Sequence, residues 1–123
     1  MGYESKLFVV KKCPWVSCNI DGKEMTFGAV IATIDIGKYY PMSDRMRREK
    51  ETDCYIYAVG CDERIVDDCY GSPLKEMSLE RAIDILKKAK EECTYYMADI
   101  AIEILESFQL SALKDVVILH YGY

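Results

Sequence analysis

Residues 78–108 have the sequence SLERAIDILKKAKEECTYYMADIAIEILESF, and this stretch decides the fold class. Ser78 is a suitable N-cap residue, because its hydroxyl can accept a hydrogen bond from the first turn of a helix. Apolar residues then recur at spacings of four and three, which predicts a helix with one apolar face. They are Leu79, Ile83, Leu86, Cys93, Met97, Ile100 and Ile104, with Lys90 as the polar exception.

The same stretch leaves two helical arrangements open. No glycine or proline interrupts residues 79–108, which favours one continuous helix. Such a helix would be roughly 45 Å long and would overhang a small sheet. That overhang favours a break near Cys93 and Thr94 and a hairpin of two helices. A continuous apolar seam over residues 79–108 would also offer a homodimer interface.

Strand patterns precede this stretch. Residues 5–11 (SKLFVVK) are apolar at their centre, as expected of a strand that is covered on both faces. Residues 15–20 predict a short second strand, and Asp21 with Gly22 predicts a type I′ hairpin turn after it. Residues 23–36 (KEMTFGAVIATIDI) are rich in β-branched and small apolar residues, which predicts a third strand.

The remaining strands lie on both sides of the helical stretch. Residues 54–59 (CYIYAV) predict a strand, and residues 64–66 predict a short one that returns after a turn. Residues 115–121 (DVVILHY) are dense in β-branched residues, which predicts a final strand central in the sheet. The whole order predicts one α+β domain over residues 1–123, with a mainly antiparallel sheet and the helical layer on one face.

The connection at residues 37–53 (GKYYPMSDRMRREKETD) is the first candidate for a functional site. It has no strand alternation, and we expect a long loop with a short helical turn after Ser43. Loops of this length in small domains are often functional. Its aromatic and basic residues are Tyr39, Tyr40, Arg45, Arg47, Arg48 and Lys50.

These residue types suit an anionic ligand with a base. Tyrosine rings stack on bases, and guanidinium groups bind phosphates through two hydrogen bonds. We therefore predict that Tyr39, Tyr40, Arg45, Arg47 and Arg48 bind a nucleotide or a short single-stranded nucleic acid. The alternative is an ordinary basic, solvated loop whose two tyrosines pack on the core.

Composition and charge limit the partners. The chain has 123 residues and a formal net charge of −5, from 16 basic and 21 acidic residues, which argues against general duplex DNA binding. No apolar run approaches the roughly 20 residues that cross a bilayer, and no secretion signal is visible. We therefore expect a cytoplasmic protein without membrane contact.

The chain offers little for catalysis or metal binding. Its sole histidine, His120, lies in the apolar final strand, and the acidic residues 62–68 have the character of a solvated turn. We predict no catalytic residue, metal or cofactor, and keep as an alternative a nucleotide-degrading enzyme with His120 as general acid or base. The six cysteines lack zinc-ligand spacing and are predicted to be reduced and mostly buried: Cys13, Cys18, Cys54, Cys61, Cys69 and Cys93.

Three stretches carry a family resemblance. Residues 3–10 (YESKLFVV), 52–58 (TDCYIYA) and 116–123 (VVILHYGY) resemble a family of small proteins encoded by phages and prophages of Firmicutes. The resemblance implies a phage origin and a place in the cytoplasm of an infected bacterial host. It carries over no catalytic residue.

Together, the loop and the resemblance lead to an expected function. Small phage proteins without catalytic motifs often counter host immunity, so we expect a non-enzymatic counter-defence protein that binds and sequesters a nucleotide-derived immune signal. The alternative is a protein–protein inhibitor of a host defence nuclease, similar to an anti-CRISPR protein, that uses exposed tyrosines and the acidic residues 62–68.

Overall fold

A seven-stranded, mostly antiparallel sheet and a layer of helices form the α+β fold. The computed structural model describes residues 3–57, 62–93, 96–111 and 113–123. The strands and helices in these ranges are β1 (Ser5–Ile20), β2 (Lys23–Gly37), α1 (Tyr40–Arg47), β3 (Lys50–Glu51), β4 (Cys54–Tyr57), β5 (Arg64–Ile65), β6 (Lys75–Met77), α2 (Leu79–Glu92), α3 (Tyr96–Gln109) and β7 (Val116–Gly122).

The long hairpin of β1 and β2 forms the centre of the sheet. Asp21 and Gly22 both have positive φ (51° and 83°), as the predicted hairpin turn requires. The two strands predicted at residues 5–11 and 15–20 are one strand with a bulge, because residues 14–16 have no partner between the Cys13 and Ser17 pairs. Pro14 lies in this bulge, where its missing N–H breaks no ladder hydrogen bond.

The final strand is third in the order β3-β6-β7-β1-β2-β4-β5. On one side β7 pairs with β1 over its whole length. On the other side only its middle residues, Ile118 to His120, pair with β6. The prediction of a central final strand is therefore correct for these middle residues. It is wrong for the ends, which pair with a strand on one side alone and lie at a sheet edge on the other.

The helical stretch forms a hairpin, and the alternative of one long helix is wrong. The Ser78 hydroxyl accepts a hydrogen bond from Arg81 N (3.1 Å), as an N-cap does. Backbone angles at Cys93 are extended, so α2 ends at Glu92. Two short helices cover a small sheet without overhang.

The predicted dimer seam over residues 79–108 is not a single exposed stripe. Ile83 and Leu86 of α2 are buried in the core of this chain, whereas Ile100 of α3 is 51% exposed. The seam residues thus lie on two helices with different surroundings. The two helices therefore offer no single continuous seam, and a homodimer through residues 79–108 stays a prediction.

The sheet is covered on both faces, and the larger core lies under the helices. Leu7, Ile36 and Ile118 of the sheet pack there against the three helices. On the opposite face, Val10 and Leu119 form a smaller core with residues of β4 and the loop before β6. Burial on both faces explains the continuous apolar runs in β1 and β7.

The connection at residues 37–53 contains more structure than predicted. The helix α1 begins at Tyr40, with Pro41 in its first turn, rather than after Ser43. Proline suits this position because its missing N–H would be unpaired there in any helix. Ser43 therefore lies inside α1 with its side chain buried.

Two of the shorter strands agree with prediction within the described ranges. Residues 54–57 of the predicted strand 54–59 form β4, and residues 64–65 of the predicted 64–66 form β5. Residues 58–59 lie outside the described residues. None of the helices that the structure describes is both long and apolar enough to cross a membrane.

Candidate functional site

The predicted binding residues in and beside α1 lie on different faces of this helix. Tyr40 and Arg47 are seven residues apart and share one exposed face, because 3.6 residues complete a turn. The opposite face carries Met42 and Met46, which are fully buried in the larger core. Arg48 is exposed and caps the C-terminal end of α1. The core contacts of the methionines therefore fix which side chains of α1 face solvent.

Arg45 and Tyr39 are engaged with α2. The Arg45 guanidinium donates two hydrogen bonds to the two carboxylate oxygens of Glu92, each 2.7 Å long. The Tyr39 hydroxyl donates to the same carboxylate at 3.3 Å. The paired hydrogen bonds raise the pKa of Arg45 and lower that of Glu92. Arg45 and Tyr39 thus hold α1 against α2, and Arg45 would have to leave Glu92 to bind a phosphate.

Arg47 lies among aromatic rings at the surface. It forms an ion pair with Asp44, and its guanidinium carbon is 4.6 Å from the ring centre of Tyr3. The Tyr3 ring stacks on Tyr70, with ring centres 5.2 Å apart and planes inclined by 26°. Tyr70 is 54% exposed. We call Arg47, Tyr3 and Tyr70 the Arg47 array, which places a guanidinium beside two aromatic rings.

A buried polar network lies beneath the Arg47 array. The Ser5 hydroxyl is 2.8 Å from both the Ser43 hydroxyl and His120 Nε2. All three side chains are at most 2% exposed. Tyr3 also stacks on the His120 ring, with centres 6.2 Å apart. Burial lowers the pKa of His120 to about 4, so the imidazole is neutral near pH 7.

The hydrogen bond between Ser5 and His120 resembles the one that joins a nucleophilic serine to its general base. Both side chains, however, are closed off from solvent. A substrate from solvent must reach Ser5, and that side chain is fully buried. In this arrangement the network joins β1, α1 and β7 at one point. The contacts of His120 are those of a structural residue that joins these elements.

A second polar cluster lies near β6 and has three potential metal ligands. One ligand atom from each of Asp53, Cys54 and Glu76 lies within 4.8 Å of the others. However, the Lys12 ammonium lies between the acidic groups, 3.2 Å from Asp53 and 3.0 Å from Glu76. Burial raises the pKa of the Cys54 thiol to about 11, so it stays protonated. The cluster has the chemistry of an ion-pair network.

The burial of the cysteines follows the prediction only in part. Cys13 and Cys54 are buried, as expected of small apolar side chains. Cys69 is exposed, with its sulfur 3.2 Å from the Tyr121 hydroxyl, so the prediction is wrong there. Cys61 lies outside the described residues.

Sequence reasoning missed two aromatic residues, Tyr3 and Tyr70, that lie beside Arg47 in the candidate site. Tyr3 precedes the first strand and Tyr70 lies in the turn after Cys69, so neither was assigned a ligand role. Only the pairing of β1 with β7 brings Tyr3 near His120, and only the packing of α1 brings Arg47 over Tyr3. No local pattern in the sequence signals these contacts.

Comparison with known proteins found no relative of this chain. The chain matches no protein-family model, and neither a curated protein nor a solved structure matches it.

Proposed function

We propose that this protein binds a nucleotide-derived immune signal at the exposed face of α1 and sequesters it unchanged. The observation that carries the proposal is the Arg47 array, in which a guanidinium lies directly over the ring of Tyr3. Aromatic faces stack on bases, and guanidinium groups bind phosphates in a bidentate geometry. A guanidinium group and aromatic rings thus lie side by side at the surface around Arg47.

The five predicted residues have three roles in this proposal. Arg47 and Arg48 bind phosphate, and Tyr40, which is 58% exposed, stacks on a base. Tyr39 and Arg45 act indirectly by holding α1 against Glu92 of α2. Arg47 is paired with the carboxylate of Asp44 at the surface, and a phosphate would replace that carboxylate on the guanidinium.

The biological setting comes from the resemblance to phage and prophage proteins. A phage protein that sequesters a signalling nucleotide in the host cytoplasm would block the defence that the signal activates. No chemical step is needed, because tight binding alone lowers the free concentration of the signal. The proposed partner is therefore a small anionic nucleotide rather than duplex DNA.

A thermal-shift screen tests this function. Linear and cyclic mono-, di- and trinucleotides are added to the protein, and mass spectrometry checks that each bound ligand is recovered intact. A ligand at 100 times its Kd adds about 2.7 kcal/mol to the free energy of unfolding. We expect a shift for at least one nucleotide and recovery of that nucleotide unchanged.

Charge reversal provides the matched control for the same screen. Arg47→Glu combined with Arg48→Glu should abolish the shift, whereas Lys87→Glu on α2 should preserve it. Lys87 is exposed and only weakly paired with Glu106 of α3, at 4.0 Å, so the control reverses a charge on α2 and changes none of the predicted binding residues. A shift that survives the double reversal would show that the α1 face is not the site.

A second candidate is inhibition of a host defence nuclease by direct contact, and one observation favours it. Trp15 protrudes from the bulge in β1 and is 74% exposed. Tryptophan is among the residues that most often dominate binding energy at interfaces. No thermal shift with any nucleotide, together with nuclease inhibition that Trp15→Ala abolishes, would favour this function over nucleotide binding.

A further inference from the structure

A small cavity lies between the β1–β2 turn, β3 and the loop before β6. Its volume is about 250 Å³, slightly below the size of pockets for drug-sized ligands. The residues that line it come from three segments, 20–25, 51–52 and 66–73. None of the five predicted binding residues is among them, so the cavity is separate from the candidate site on α1.

Backbone hydrogen bonds hold the three segments together. Thr26 N donates to Asp53 O at 2.8 Å, which joins β2 to the residues after β3. Thr52 N donates to Leu74 O at 3.0 Å, and Leu74 N donates to Val66 O at 3.1 Å. These bonds join the second segment to the third. The walls of the cavity therefore need no ligand to hold them in place, as is usual for small-molecule sites.

Apolar side chains form one part of the lining. Met25 is 4% exposed, and Ile20 and Val66 are partly buried. Pro73 adds a further apolar group. Methylene groups of a ligand would remove this surface from water, which favours binding. A hydrated metal ion would gain nothing from the same contact.

Charged side chains form the other part of the lining. Asp21, Glu51 and Asp67 carry three formal negative charges, and Lys23 carries one positive charge. The excess of two negative charges repels an anion such as a nucleotide and attracts a cation. A ligand with two positive charges would balance the cavity.

The positions of the carboxyl groups argue against a single metal ion. In the part of the chain that the structure describes, one group of three potential ligand atoms lies within 4.8 Å, and it is the polar cluster at Asp53 described above. Asp21, Glu51 and Asp67 do not converge in this way. A metal ion binds carboxylate oxygens at about 2.0–2.6 Å and needs them close together. Positive groups that are joined by a chain can instead reach separate carboxylates.

We infer that this cavity binds a linear aliphatic diamine. The two ammonium groups balance the excess negative charge of the lining, and the methylene chain between them covers Met25 and Ile20. The inference does not depend on the proposed nucleotide binding, because the two sites share no residue.

Isothermal titration of the unmodified protein with three cations tests the choice of ligand. Putrescine has two ammonium groups on a four-carbon chain, n-butylamine has the same chain with one ammonium group, and Mg²⁺ has two charges without a chain. We expect putrescine to bind most tightly. The loss of one ammonium group should weaken binding about fivefold, as expected for one ion pair at a surface. Mg²⁺ should bind more weakly than putrescine, because it makes no apolar contact.

Two double variants of equal charge test the location. Glu51→Gln with Asp67→Asn removes two carboxylates from the cavity, whereas Asp84→Asn with Glu91→Gln removes two from the exposed face of α2. Putrescine should bind about tenfold more weakly to the first variant and with unchanged affinity to the second. All four residues are exposed and the new side chains have the same shape, so both variants should fold. The comparison of ligands on the unmodified protein does not rely on any variant.

Three results would overturn the inference. Equal affinity for n-butylamine and putrescine would mean that the cavity takes a single ammonium group on an alkyl chain, as in a lysine side chain of a protein. Equal weakening in the two double variants would mean that overall charge, and not the cavity, attracts the diamine. No binding of putrescine at millimolar concentration would mean that the cavity takes no diamine. The nucleotide site on α1 would be unaffected by each of them.

Discussion

His120 shows how a single side chain couples the buried network to pH. Its imidazole is neutral in the folded protein because burial lowers its pKa to about 4, from an ordinary value of 6.5. Between pH 6.5 and pH 4, His120 is therefore protonated in the unfolded chain and neutral in the folded protein. The resulting stability is complete above pH 6.5 and is lost as the pH falls through this window.

We predict a fall of about 2 kcal/mol in the free energy of unfolding between pH 7.5 and pH 5 from this group alone. Urea denaturation at a series of pH values measures it. His120→Gln removes the titrating group and should flatten the dependence in this window. A curve of the same slope in His120→Gln would show that other groups set the pH response.

Contacts between residues far apart in the sequence decide which side chains of the candidate site are accessible. Residue type alone proposes Tyr39, Tyr40 and the three arginines as ligand-binding residues, because stacking and phosphate binding need these side chains. Residue type does not show which of them are already engaged, since that depends on Glu92 for Arg45 and on Tyr3 for Arg47. Residue type predicts chemistry, whereas tertiary packing decides which group is accessible.

At the level of elements, the attachment of α1 to α2 holds the candidate site in place. The carboxylate of Glu92 receives both hydrogen bonds of the Arg45 guanidinium, and α1 otherwise lies on the core through Met42 and Met46. Removing the Glu92 carboxylate leaves the methionine contacts intact. The expected effect is therefore local loosening of α1 rather than unfolding.

We predict that Glu92→Gln accelerates hydrogen exchange of the α1 backbone amides and leaves exchange in α3 unchanged. Lys90→Gln is the matched control on the same helix, because it removes the surface pair with Asp99 of α3 instead. Hydrogen exchange followed by mass spectrometry compares both variants with the unmodified protein. Equal acceleration in both variants would mean that α1 does not depend on Glu92.

The helices and strands themselves differ in how well local sequence predicts them. The Ser78 cap and the Asp21–Gly22 turn were predicted correctly, because both depend on short-range backbone chemistry. The break after α2 was left undecided, since residues 79–108 contain no helix-breaking residue. Packing on a small sheet decides it. Likewise, Pro14 marks a bulge rather than a boundary because β2 pairs on both sides of it.

For the molecule as a whole, the sequence predicted the α+β class and the mostly antiparallel sheet from the order of the elements. It predicted the position of β7 only in part. An apolar run indicates burial on both faces, but it does not determine how much of each edge is paired. The length of the neighbouring strand decides it: β6 has three residues, so β7 pairs with it over Ile118 to His120 alone.

Binding of a nucleotide at the exposed face of α1, beside Tyr3 and Tyr70, can be located by a two-dimensional NMR titration. The ¹⁵N-labelled protein is titrated with the nucleotide that gives the largest thermal shift. We expect amide shifts that concentrate at residues 40–48, around Tyr70 and next to His120, with the hairpin around Trp15 unchanged. Shifts confined to that hairpin, or none at saturating nucleotide, would show that the nucleotide does not bind at this face.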